Sequence, residues 1–148
     1  MIWRPLNNLV KSLKTYHILS PDPKARQEVN QWLSERPCLS CQEWYLIHWT
    51  PPAVAKPCPQ PLIEFLYDRL PYYSGLQVGC IHPKDHLVSD LRFPAVCWFD
   101  WGLCLCEEFY ATFETDISDV FDESQLDTCA DLVLFLQQQL NSKRPDQL

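Results

Sequence analysis

Glycine is nearly missing from this chain, with three residues against thirteen prolines in 148. A Gly-rich phosphate cradle needs several positions at positive φ or at very close backbone approach, so a nucleotide-binding sheet of that kind is excluded. No stretch approaches the roughly 20 consecutive apolar residues that span a bilayer. Charges also interrupt the amino-terminal sequence before a secretion-type apolar core can form. Positive charge is scarce in the second half: residues 85–148 carry three Lys/Arg and thirteen Asp/Glu, net −10, whereas residues 1–84 are net +3. Phosphate backbones are bound by clustered cations, so a half with this excess of carboxylates is a poor nucleic-acid surface and a good surface for a basic protein.

Enzyme signatures are lacking too. The chain contains no H-E-x-x-H, no serine placed near a His and an Asp, and no recognisable pair of pocket carboxylates; no cofactor is implied. Its four histidines (His17, His48, His82 and His86) are scattered along the sequence. Eight cysteines invite a disulfide framework, yet disulfide-stapled domains are usually shorter and Gly-rich. The expectation is a cytoplasmic protein with reduced thiols. Cys38 and Cys41 have the C-x2-C spacing of a zinc knuckle, with Cys58, Cys80, His82, Cys104 and Cys106 as partners of no matching spacing. A zinc-stabilised structural domain is therefore one alternative. Cys97, among Val96, Trp98 and Phe99, reads as a small buried hydrophobe.

What is present is mainly helical patterning. Leu6, Leu9, Val10 and Leu13 make one apolar face over residues 5–16, and Val29, Trp32 and Leu33 make another over 24–36. The aromatic run from Cys41 to Thr50 reads as a short strand, and the prolines of 51–61 read as a linker. Residues 1–57 then form an amino-terminal extension of one or two helices and a strand, and residues 58–148 a helical bundle. Within the bundle, Leu62, Phe65, Leu66 and Leu70 stripe a helix that should end before Pro71. Leu105, Phe109 and Phe113 stripe a second, with Glu107 and Glu108 on its outer face. Asp127 and Thr128 cap a last helix with Cys129, Leu132, Val133, Leu136 and Leu140 inside and the Gln137–Gln139 triplet exposed.

The order helix, long loop, acidic helix, short turn, final helix resembles the acyl carrier protein fold over about residues 60–140. Three segments carry the likeness: the run from Ile81 to the Asp90-Leu91 pair, the acidic segment from Glu107 through Phe113 and Ile117 to Asp119, and the closing helix from Leu126 to Leu140. The resemblance implies a surface that docks enzymes through the carboxylates of the acidic helix. It also implies a serine at the start of that helix to hold a phosphopantetheine arm. That place falls at Trp98-Phe99-Asp100, and no serine occurs between Leu91 and Ser118. The segment Phe99-Asp100-Trp101-Gly102 is closer to carrier-like proteins in which an acidic sequence replaces the attachment motif. The expected function is a non-enzymatic interaction or regulatory module without phosphopantetheine, or alternatively a toxin-neutralising immunity protein. Its expected partner is a protein with a basic surface, neither nucleic acid nor membrane, met by Glu107, Glu108, Glu114, Asp116 and Asp119 with the aromatics Trp98, Phe99 and Trp101.

Overall fold

The computed structural model describes residues 21–50 and 57–143. The helix expected over 5–16 and most of the proline-rich linker lie outside them. The described chain is mainly helical, with helices α1 (Pro23–Leu33), α2 (Cys41–His48), α3 (Gln60–Ser74), α4 (Phe93–Val96), α5 (Trp101–Phe113) and α6 (Cys129–Lys143). Short 3-10 turns occupy Val78–Cys80 and Glu123–Gln125.

Helix α1 starts where the Asp22 carboxylate accepts from the backbone N–H of Lys24 and Ala25, at 2.9 and 3.3 Å, with Pro23 in the first turn. Ala25, Val29 and Leu33, four residues apart, are its buried positions. Trp32, expected in that stripe, is instead 39% exposed, its ring covered by the Arg36 guanidinium at 4.4 Å. The cation holds the indole at the surface and shields it from water.

The expected strand at 41–50 is a helix. Ser40 accepts from the Glu43 N–H at 3.2 Å while the Glu43 carboxylate accepts from the Ser40 N–H at 2.9 Å, a reciprocal cap that starts α2. Aromatic residues favour strands only where a sheet offers neighbours, and among the described residues there is one isolated bridge, His86 to Thr128. Trp44 instead enters the core completely, donates its indole N–H to the Ile81 carbonyl at 2.9 Å, and lies edge-on to Trp49 and Tyr67.

Helix α3 is the central element, with Leu62, Ile63, Phe65, Leu66, Leu70, Tyr73 and Ser74 buried. It runs through Pro71 rather than stopping before it. The proline costs the hydrogen bond that the Tyr67 carbonyl would accept, but burial of Tyr73 and Ser74 one turn later makes continuation favourable. The helix closes at Gly75, whose φ of 71° is the left-handed cap that favours glycine. Helix α5 buries Trp101, Gly102, Leu105, Cys106 and Phe109. Helix α6 opens on a reciprocal cap between Thr128 and Asp131 and buries Cys129, Leu132, Val133 and Leu136. Gln137, expected at the exposed end, is also buried: its amide donates to the Pro57 carbonyl at 3.4 Å and its oxygen accepts from the Cys58 thiol at 3.2 Å.

Described residues on both sides of 51–56 contribute to one apolar cluster, from Ala25 and Trp44 to Phe109 and Leu136. Loop 76–92 is pinned across it. Its closest approach is at Gly79, where an added Cβ would lie 2.2 Å from the Leu39 carbonyl oxygen and 3.0 Å from the Tyr67 hydroxyl. Both neighbours are fixed by hydrogen bonds, Leu39 N–H to the Gly79 carbonyl at 3.0 Å and Tyr67 O–H to the Leu39 carbonyl at 2.6 Å. Gly79→Ala should therefore destabilise the chain by about 1–3 kcal/mol in urea unfolding. Gly102→Ala should cost less, because its closest neighbour is the tip of the Glu123 side chain.

Candidate functional site

The second half of the chain is more one-sided than its net charge shows. Between Phe93 and Ser142 there are ten Asp/Glu and no Lys, Arg or His. Helix α5 runs through this segment, and its geometry divides the expected partner-binding residues into two sets. Leu103, Glu107 and Tyr110, spaced by four and three residues, lie along one face and are exposed. With Cys106, Asp116 and Ser118 they line an open groove of about 350 Å³. Asp116 is held in place by Ser118, whose backbone N–H and hydroxyl donate to one carboxylate oxygen at 3.0 and 2.7 Å. These bonds hold the Asp116 carboxyl below its usual range, so it is anionic at neutral pH. Burial pushes the Cys106 thiol up to about 11, aided by Asp116 and Glu107, so the floor of the groove carries a neutral thiol. Glu114 and Asp119 are exposed near the end of the helix, and Trp98 and Phe99 are exposed before its start.

Two expected contact residues are placed elsewhere. Trp101 is 4% exposed and sits among Tyr73, Phe93 and Phe121, making it a core residue. Glu108 turns toward α3, where its two oxygens accept from the Arg69 Nε and Nη2 at 2.9 and 3.1 Å and from the Tyr73 hydroxyl. Burial, then the Glu108 carboxylate, pushes the Tyr73 phenol up. Glu107 and Glu108 are adjacent in sequence but about 100° apart around the helix, so one faces solvent and the other α3.

A second arrangement was invisible in the sequence. Arg36, Pro37, Leu39, Ile47, His48, His82 and Asp85 line a groove of about 610 Å³. The Arg36 guanidinium grips Asp85 with two bonds of 2.6 and 2.8 Å, and the backbone N–H of His82 donates to the same carboxylate at 2.7 Å. The Asp85 hydrogen bond raises the Arg36 pKa further. His48 and His82, 34 positions apart in sequence, have ring centroids 4.8 Å apart. Burial, and secondarily the neighbouring His82, hold His48 below its ordinary value. They meet because Trp44, one turn before His48, bonds to Ile81, the residue before His82.

The thiol reading changes as well. Cys38 is disulfide-bonded to Cys80, with Cα atoms 4.4 Å apart, so neither the reduced state expected for all cysteines nor a Cys38–Cys41 zinc pair describes this region. Cys41 is a free thiol in the first turn of α2. Among the described residues no group of three or more His, Cys, Asp or Glu is placed to hold a metal ion, and no helix is long and apolar enough to cross a membrane.

No family model matches the chain, and comparison with curated proteins and with solved structures likewise gives no match.

Carboxylates bracing the 85–91 loop and the start of α6 set an acid limit on the fold. The backbone N–H of His86 holds Asp90 below its ordinary value, and the backbone N–H of Thr128 does the same for Asp131. A carboxylate depressed in the folded state contributes stability above its unfolded value of about 3.9 and loses it as pH falls through the folded value. Urea midpoints should thus decline as pH drops below about 6.5, where His48 takes up its proton more readily in the unfolded chain, and fall further below about pH 4 as the carboxylates protonate. Asp131→Asn should flatten that acid limb.

Proposed function

We propose that this chain is a non-enzymatic interaction module whose α5 face docks a basic, amphipathic segment of a protein partner. The observation that carries the proposal is the exposed row Leu103, Glu107 and Tyr110 beside the anionic Asp116, in a segment with no cation from Phe93 to Ser142. Apolar side chains interleaved with carboxylates suit a helix that presents Leu or Phe between Lys or Arg. The apolar contacts supply area, and the charges supply orientation and association rate. Phe99 and Trp98 extend the apolar part beyond the start of α5, where a large aromatic surface serves as an anchor at low entropic cost.

The acyl-carrier-like reading is consistent with this use of the helix. A carrier presents its acidic helix to basic enzyme surfaces, and here the position of the arm is occupied by Trp98, Phe99 and Asp100, none of which offers an aliphatic hydroxyl for the attachment. The module would keep the docking function without the cargo.

Titration with a Lys- and Leu-bearing amphipathic helical peptide, followed by NMR shift mapping, tests this assignment. Shifts should concentrate on Leu103, Glu107, Tyr110 and Asp116. Affinity should fall about tenfold as salt is raised from 50 to 300 mM, because exposed charge pairs are screened over about a Debye length. Glu107→Lys and Asp116→Lys should each weaken binding, with urea midpoints measured in parallel because Asp116 also accepts two bonds from Ser118. Affinity indifferent to salt and to both reversals would refute the assignment. Glu108→Lys is not an equivalent variant, because it would place a cation against Arg69.

A further inference from the structure

The disulfide raises a separate question, because it coexists with free thiols. Among the described residues Cys41, Cys58, Cys97, Cys104, Cys106 and Cys129 are all free. Burial raises the pKa of each, to about 11 for Cys58 and about 12 for Cys129, so these thiols are poor nucleophiles at neutral pH. The Cys38–Cys80 bond is different. Cys80 is 3% exposed, whereas Cys38 is at the surface, so one sulfur of the bond is open to attack.

Its position is also particular. Cys38 is flanked in sequence by Pro37 and Leu39, which line the 610 Å³ groove, and Cys80 lies two residues before His82, which lines it too. The bond therefore staples two of the chain segments that contribute to the groove's lining. Hydrogen bonds join the same segments beside it, Leu39 N–H to the Gly79 carbonyl at 3.0 Å and Arg36 Nη1 to the Cys80 carbonyl at 3.0 Å, and the Tyr67 hydroxyl of α3 holds the Leu39 carbonyl at 2.6 Å. These contacts do not depend on the sulfur bond and would keep the two sulfurs near each other after it opened.

We propose that Cys38–Cys80 is a reversible redox site, opened by a dithiol reductant at Cys38, which sets the rigidity of the groove formed by Arg36, Leu39, His48 and His82. The reductant's thiolate attacks the Cys38 sulfur. The Cys38–Cys80 bond breaks, its electron pair goes to the Cys80 sulfur, and that sulfur takes a proton. The second thiolate of the reductant then attacks its own sulfur in the mixed disulfide and releases Cys38, which is protonated in turn. The protein gains two electrons and two thiols, and the dithiol becomes a disulfide. An exposed bond with a buried leaving partner, set among inert thiols, confines this exchange to one place. The core elements α3 and α5 are held by apolar packing and by the Arg69–Glu108 pair, so they do not rely on the staple.

The test uses the full chain in native buffer. Reduced and oxidised dithiothreitol are mixed in graded ratios, thiols are trapped with N-ethylmaleimide, and labelled sites are identified by mass spectrometry alongside amide hydrogen exchange. Reduction should add a label at Cys38 in native buffer and, when the trapped sample is then denatured and given a second reagent, one more at Cys80 relative to the oxidised sample, while Cys97 and Cys129 stay unlabelled in native buffer. Exchange in residues 36–41 and 78–85 should rise at least tenfold with α3 and α5 unchanged, and reoxidation should restore the first pattern. Cys38→Ser should reproduce the exchange pattern of the reduced chain. A bond that resists dithiothreitol until denaturant is added would overturn the proposal, as would reduction that unfolds the whole chain, reduction with no local change in exchange, or a Cys38–Cys41 linkage in peptide maps.

Discussion

Asp85 is almost fully enclosed, and three parts of the fold converge on this residue, two at its carboxylate and one at its backbone carbonyl. Arg36, beyond the end of α1, supplies two hydrogen bonds, and the His82 N–H supplies a third. The backbone carbonyl of the same residue accepts from the Cys129 N–H at 2.9 Å, at the first turn of α6. A buried carboxylate is tolerated only when its lone pairs are occupied and its charge is met; here Arg36 and the His82 N–H meet both conditions, while the bond from Cys129 to the Asp85 backbone carbonyl ties α6 to the same residue. The loop has little regular structure of its own. Its course depends on this anchor, on Leu87 N–H donating to the Asp127 carbonyl at 2.8 Å, and on Ala130 N–H donating to the Pro83 carbonyl at 2.9 Å. Leu87 and Leu91 can then enter the core from a segment that is neither helix nor sheet.

A similar economy divides α5. Its inner side is tied to α3 by Phe109 against Phe65 and by the Arg69–Glu108–Tyr73 network, which neutralises the only α5 carboxylate turned inward. The outer side retains Glu107 with Leu103 and Tyr110. Positioning the inner side by a network that includes a charge-assisted fork fixes the rotation of the helix about its axis. That rotation decides which of two adjacent glutamates meets solvent, so the outward pattern is a consequence of the inward one.

This dependence explains what the sequence revealed and what it withheld. The apolar stripes of α1, α3, α5 and α6 were legible because a helix repeats its burial every three to four residues, and Val29, Leu66, Phe109 and Leu132 follow that repeat. The α2 segment misled because Trp44, Tyr45, Leu46 and Ile47 have strand-like composition, whereas the decisive signal was the Ser40/Glu43 cap before and within it. Pro71 misled because a local penalty was outweighed by burial on its far side. Gln137 was unreadable: its partners Pro57 and Cys58 lie 80 and 79 positions away, and composition alone places glutamine outside. The same limit hid the His48–His82 pair and the Cys38–Cys80 bond, each made by long-range contacts through Trp44, Leu39 and Gly79. Of the expected partner-binding residues, helical spacing correctly placed Glu107 outside, but it could not show that Arg69 claims Glu108.

Where the arginines go accounts for the field the chain presents. Arg26 donates to the Val96 and Tyr73 carbonyls, Arg36 to Asp85, Arg69 to Glu108 and Arg92 to Glu28. All four described arginines are thus engaged in joining elements within the chain. Each link joins segments at least 39 positions apart, so the cations act as long-range fasteners in a fold poor in sheet hydrogen bonds. Only two of these links involve carboxylates from residues 85–142, Asp85 and Glu108, and both face inward. Glu107, Glu114, Asp116 and Asp119 are exposed in that half, and no Lys, Arg or His occurs in the sequence from Phe93 to Ser142. An excess of carboxylates in one half gives a negative field that reaches outward over about a Debye length, and the proposed docking of a basic segment rests on that field.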